Sequence, residues 1–331
     1  MSESVPSKSK STTRASLAWT PGRKCSIIHL YCRKGRSDGN KGDGVIGRLV
    51  VALKRFLFLL GLAWAAEAEP KRLVSTVPGL TEILFALGLG DRVAGVSEYC
   101  RYPAEARSKP KTGSFLQPNL EAIAALRPDV VLIIRNPVRL GARLEAMGLR
   151  VREFDLETMP GILEAITEIG ALTGRGQQAG ALRAGLEGRM EAVRRGVKIR
   201  RRVVFLVGRT PQRLEGMVAV GPKSYLEELM KLAGGDNVFV DAPSMYPKIS
   251  IEQLLARDPD VIFEMGDSVH DGMEQKRYRE DVLGVWGRMT GLRAVREKRV
   301  FPLNEDIFVV PGPRFVEAAE RFLVMISGAG R

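Results

Sequence analysis
Residue types that usually carry chemistry are scarce in this chain. Only 3 of its 331 residues are cysteine and only 2 are histidine. Cys25, His29 and Cys32 fall within the first 44 residues, so Cys100 and His270 stand alone beyond residue 68. A single cysteine forms no internal disulfide, and the chain must hold its shape by hydrophobic cores. Its thiol reads better as a small half-buried residue than as a ligand contact. Cys25, His29 and Cys32 offer three metal ligands without a fourth on a short polar stretch, which argues against a zinc site. Beyond residue 68 the sequence has no Gly-x-Ser-x-Gly elbow, Walker loop or Gly-x-Gly-x-x-Gly fingerprint. His270, in Gly266-Asp267-Ser268-Val269-His270-Asp271-Gly272, reads as a loop histidine rather than a general base. No His-rich loop for capturing metal ions is present. An exported α/β enzyme with a cleft active site is therefore the weaker reading, behind a binding module without chemistry.

Charge is unevenly spread. The formal net charge is +13, and residues 1–68, with 12 Lys/Arg against 4 Asp/Glu, hold +8 of it, leaving +5 for the rest. No basic stripe with interleaved aromatics follows, so a nucleic-acid partner is not expected. Arg200-Arg201-Arg202 is a solvated cluster before a strand.

Lys54-Arg55 precede an apolar run over residues 56–66, and Ala66-Glu67-Ala68 supplies a small-x-small site. This is the pattern of a cleavable secretory signal over 45–68, with an apolar run shorter than the about 20 residues of a spanning helix. No cysteine follows the run, so no lipid anchor is indicated, and the expected location is the periplasm. Residues 1–44 are polar and aperiodic. They read as a disordered extension or an over-extended start, with translation beginning near Val45 or Leu49.

What is present is a duplication. Residues 119–131 recur at 250–262, with Glu121/Glu252, Ala125/Ala256, Pro128/Pro259, Asp129/Asp260 and Val130/Val261 at a constant offset of 131. Upstream, Glu82, Leu84, Leu87, Gly90, Asp91 and Val93 match Glu227, Leu229, Leu232, Gly235, Asp236 and Val238 at an offset of 145. The first copy therefore carries the longer connection, roughly residues 94–118. A repeat this long points to two similar lobes rather than a solenoid.

Short β-rich runs alternate with helical patterns in both halves, as in parallel βαβ units. Expected strands are 72–77, 92–96, 130–134, 151–154, 203–207, 237–240, 261–264 and 299–302. Expected helices include 81–87, 120–126, 225–232 and 251–256. Between the copies, Ala179, Leu182, Leu186, Met190, Val193 and Val197 form one apolar stripe on a helix over 177–198. The expected fold is two similar α/β lobes with parallel-type sheets, at 69–174 and 199–331, joined by one long rigid helix at 175–198.

Leu73–Glu82 with its Pro-x-x-Thr-Glu helix start, Gly95–Pro103, Pro118-Asn119-Leu120-Glu121, Leu126-Arg127-Pro128-Asp129 and Pro311-Gly312-Pro313-Arg314 occur in that order. As a set, covering nearly all of 70–327, they resemble the substrate-binding proteins of metal-chelate ABC importers, the class III periplasmic-binding-protein type. The nearest resemblance is to cobalamin-binding members, with ferric-siderophore and haem binders as the alternative. The resemblance implies a monomer without a resident cofactor, whose ligand is cobalamin or another metal chelate held between the lobes. It also implies that Glu121 and Glu252 dock onto arginines of a dimeric ABC permease. A first-turn glutamate also complements the helix dipole, a bland role worth about 0.3–1 kcal/mol. Carried over by position, Tyr99, Phe115 and Tyr246 fall where aromatics face a corrin ring, and Asp306 matches an acidic pocket position. Phe115 reads equally as core packing. Phe115, Ile134 and Tyr246 stand where tryptophans are common in the family. Arg135 and Arg209 end strands at the expected cleft, where cations would suit an anionic siderophore.

Overall fold
A computed structural model describes residues 69–135, 138–266 and 272–328. The signal-like segment, the preceding extension and His270 lie outside the described residues. In the first lobe, β1 (Leu73–Ser75), β2 (Val93–Val96), β3 (Val130–Ile134) and β4 (Val151–Phe154) form a sheet in the order β2-β1-β3-β4, every pair parallel. Successive residues of a strand point to opposite faces. Leu73, Val130 and Leu132 accordingly join one apolar cluster, and Val74, Val131 and Ile133 another. Both faces are covered by helices, α1 (Pro78–Ala86) and α4 (Met159–Leu172) on the first, α2 (Leu120–Ala125) and α3 (Leu140–Ala146) on the second. That double burial is why β3 is apolar without interruption.

The second lobe is built around β5 (Arg201–Gly208). β9 (Val261–Met265) and β10 (Val300–Leu303) extend it in parallel on one side, and β7 (Gly235–Asn237) pairs in parallel with its start. β6 (Met217–Ala219) and β8 (Lys248–Ile249) run antiparallel at the other edge. This edge departs from an all-parallel sheet. A tight hairpin, closed by the Thr210 N–H donating to the Glu215 carbonyl at 2.9 Å, returns the chain beside β5 without a helical crossover. β7 also ends where the sequence pattern starts its strand, at Asn237. The Asn237 side chain donates to the Val220 carbonyl and accepts from the Phe239 N–H, each at 3.0 Å, which turns the chain. Helices α6 (Tyr225–Leu232), α7 (Ile251–Arg257), α8 (Gly272–Trp286), α9 (Arg293–Arg296) and α10 (Phe315–Ser327) complete the lobe.

The connecting helix α5 spans Gly176–Gly196, about 30 Å at 1.5 Å per residue. Ala179, Leu186 and Val193 are buried, with Leu182 and Met190 packed beside them. It stops short of the expected 198 because Val197 is already extended. Arg189 holds Glu320 of α10 through two hydrogen bonds of 2.9 and 2.7 Å. One apolar cluster runs from Leu73 and Leu132 through Ile166, Ala179, Leu186 and Val193 to Phe205 and Phe322. The lobes and their connector thus share a continuous core.

The duplication is structural in detail. Asp129 accepts from the N–H groups of Lys71 and Arg72 at 2.7 and 2.9 Å, and Asp260 accepts from the Arg202 N–H at 2.9 Å. Each aspartate therefore ties its strand to the start of the neighbouring one. Arg127 and Asp258, the residues before the repeated prolines, both take positive φ, 45° and 35°. Proline disfavours the helical region for the residue before it, so both helices end there.

Candidate functional site
Parallel strands deliver their carboxyl ends, and the loops after them, to one side of a sheet, where ligands gather in open α/β folds. In this chain those ends border a cavity of ≈ 590 Å³ between the lobes. The first lobe supplies Phe115, the ends of β3 and β4 (Ile134, Arg135 and 153–157) and the exposed face of α4. The second supplies Tyr225, Met245, Tyr246, Val309 and Pro311. The volume lies in the range of small-molecule sites.

Three of the residues marked in the sequence meet here. Phe115 does both things proposed for it, lining the cavity and packing against the shared core. Tyr246 is 44 % exposed and faces it from the opposite lobe. Burial of its hydroxyl, with the Glu157 carboxylate nearby, raises its pKa above 10.0. Arg135 lines the cavity with an exposed side chain, and its Nε donates to Glu153 Oε1 at 3.3 Å.

Three others lie elsewhere. Tyr99 is 57 % exposed in the loop after β2 and is not part of the lining. Arg209, expected as a cation at the cleft, is buried in the second lobe. It donates to Glu264 at 2.8 Å and to the carbonyls of Thr210 and Arg213 at 3.0 and 3.1 Å. Trp286 Nε1 also donates to Glu264. Burial raises the Glu264 pKa, opposed by these bonds. The charge of Arg209 is thus engaged inside the lobe, and Arg209 is not part of the cavity lining. Asp306 is likewise engaged, accepting from Arg314 at 3.1 Å. Arg314 forms a two-pronged bond to buried Glu82 of α1 and stacks on the Tyr102 ring, 3.9 Å from its centroid. This cluster clamps the first helix of one lobe to the last helix of the other. Burial pushes the Glu82 carboxyl up, and Arg314 opposes that shift. Gly79 strengthens the clamp by close approach, since a Cβ there would lie 2.3 Å from the Pro311 carbonyl oxygen.

Glu121 and Glu252 sit on equivalent first turns. Asn119 Oδ1 accepts from the Ala122 N–H at 2.9 Å, and Ser250 and Gln253 form a reciprocal capping box. Both glutamates are exposed, away from the cavity, and without an ion pair among the described residues. A hydrogen bond from Ser250 lowers the Glu252 pKa.

Tyr225 is among the lining residues that the sequence did not single out, as are the acids of β4, α4 and the loop between them. Tyr225 is 5 % exposed, and its hydroxyl has no hydrogen-bond partner among the described residues. The available signal was a break in the repeat: at the offset of 145, its counterpart is Leu80. Among the described residues no group of His, Cys, Asp or Glu is poised for a metal, and no helix is long and apolar enough to cross a membrane.

Comparison with known proteins places this geometry. The chain is 28% identical over 273 residues to the vitamin B12-binding protein of Vibrio cholerae serotype O1, covering 80% of this chain and 92% of that one. It is 29% identical over 294 residues to the vitamin B12-binding protein of Photorhabdus laumondii, covering 88% and 98%. Among solved structures, the periplasmic vitamin B12 binding protein of Vibrio cholerae superposes with a TM-score of 0.66 at 27% identity, covering 80% of this chain and 99% of that one. A periplasmic heme-binding protein from Roseiflexus, at 24% identity and a TM-score of 0.66, covering 79% and 99%, shares the fold. The pattern of the periplasmic binding protein family matches residues 73–307, and the chain belongs to that family.

Proposed function
We propose that this protein is an exported receptor that captures a corrinoid between its lobes and delivers it to an ABC import permease. One observation carries the reading: a cavity of ≈ 590 Å³ walled by Phe115 from one lobe and Tyr246 from the other. Aromatic faces suit a large flat ligand, and such stacking adds to simple burial. The relatives named above as vitamin B12-binding proteins support the same ligand class. The siderophore alternative leaned on free cations, and Arg209 is enclosed by Glu264 while Arg135 is held by Glu153. Binding of this kind uses no chemical step, in keeping with a family of binding proteins. The segment at 45–68 is read as the export signal, and Glu121 and Glu252 as matched docking points for a twofold permease. Charge pairs across such a contact set orientation and on-rate more than affinity.

The test is calorimetric titration of the protein lacking residues 1–68 with cyanocobalamin, haem and ferric siderophores. The expected result is one tight site for cyanocobalamin. Silence with cyanocobalamin beside tight siderophore binding would overturn the ligand class.

A further inference from the structure
The cavity wall is acidic in a basic protein. Glu153, Asp155, Glu157, Glu164 and Glu168 line it, against Arg135 as the one cation of the lining. Beyond residue 68 the chain carries a net +5, so this concentration runs against the charge of the lobes that hold it. Arg135 is already taken by Glu153. Glu157, Glu164 and Glu168 have no ion pair among the described residues. Gly161, Glu164 and Glu168 lie on the face of α4 that meets the cavity, at spacings of 3 and 4, and Glu157 stands in the loop just before the helix. Glu164 and Glu168 are one turn apart, where like charges repel along a helix. Nothing in the packing of the lobe requires that arrangement, because all three side chains are exposed.

A second observation lies on the opposite wall. The Tyr225 hydroxyl is shielded from solvent and meets no partner among the described residues, so it has given up water without replacement there. Packing alone would be served as well by phenylalanine. A polar ligand group reaching that end of the cavity supplies the missing partner.

Resting on the corrinoid reading, we propose that the cavity filters metal chelates by charge. The carboxylates of β4, of α4 and of the loop between them admit a ligand that presents neutral amide N–H or cationic groups, and repel one that presents carboxylates. Tyr225 gives the ligand a polar anchor on the facing wall. Amide donors satisfy carboxylate acceptors, whereas a ligand carboxylate would face like charge in a cleft partly emptied of water, where repulsion is stronger than in bulk. Corrinoids with intact side-chain amides fit this wall, and haem with its two propionates does not.

The test compares cyanocobalamin with its monocarboxylic acid derivative, in which one side-chain amide has been hydrolysed, at low salt and neutral pH. The wild type should bind the amide form at least about tenfold more tightly, the scale on which like-charge contacts discriminate. In the triple variant Glu157→Gln, Glu164→Gln, Glu168→Gln that ratio should collapse toward unity with an unchanged melting temperature. Tyr225→Phe should weaken cyanocobalamin severalfold while the melting temperature holds or rises, a split that a packing role would not give. Equal wild-type affinity for amide and acid, or a ratio that survives in the triple variant, overturns the filter and leaves the corrinoid reading standing. If no corrinoid binds, that reading fails separately, and the filter is then read on haem against haem dimethyl ester. Tighter binding of the ester upholds it, and equal or tighter binding of the diacid refutes it.

Discussion
At the scale of the residue, the duplication separates two kinds of repeated acid. Asp129 and Asp260 are occupied with backbone N–H groups of their own lobes, whereas Glu121 and Glu252 are exposed and without an ion pair among the described residues. The first kind is maintained by folding. Hydrogen bonds from Arg72 and Lys71 hold the Asp129 carboxyl below its usual 3.8. A depressed carboxyl pKa adds stability that is complete above the unfolded value and is lost as pH falls through the folded one. Asp129→Asn should therefore be less stable than wild type at neutral pH, with the gap closing below about pH 3.8, as read by urea melts across the acid range. A gap that does not change with pH would refute this role. The same scale shows where sequence reading ran out. Arg209 is marked because it ends a strand and Asp306 because of the family resemblance, yet both are engaged by Glu264 and Arg314, partners fixed only by packing. Glu82 and Arg314 are 232 positions apart, and nothing local in the chain announces their pairing.

At the scale of the element, periodicity was a good guide where one face of a segment is buried. The stripe from Ala179 to Val197 places the connecting helix at 177–198, within two residues of Gly176–Gly196, and β3 falls where its apolar run lies. It was a poor guide at β7, where a side-chain hydrogen bond of Asn237 overrides the apolar residues after it. Helix α5 keeps glycines on its open face, which apolar burial does not explain. A Cβ at Gly188 would meet nothing within 4 Å. Gly188→Ala should raise stability by about 0.5–1 kcal/mol, because alanine loses less backbone freedom in a helix interior. Gly79→Ala should do the reverse, since its Cβ would collide with the Pro311 carbonyl and force the two lobes apart. Chemical denaturation of the pair would check both signs, and a neutral Gly79→Ala would contradict the close approach of the lobes.

At the scale of the molecule, a shared core, the Glu82–Arg314–Asp306 clamp and a long connecting helix tie the two lobes together around the cavity. The longer connection of the first copy brings Phe115 to that cavity, and Tyr225 stands where the first copy has leucine, so the two halves differ at the ligand. They remain alike at Glu121 and Glu252. Replacing both glutamates with arginine should abolish uptake in cells and leave ligand affinity unchanged, and lost ligand affinity would refute the separation of the two roles. The most direct test of the account is the cyanocobalamin affinity of Tyr246→Ala beside wild type. Removal of this cavity aromatic should weaken binding at least tenfold, about 1.4 kcal/mol. An unchanged dissociation constant would contradict capture of a corrinoid between the lobes.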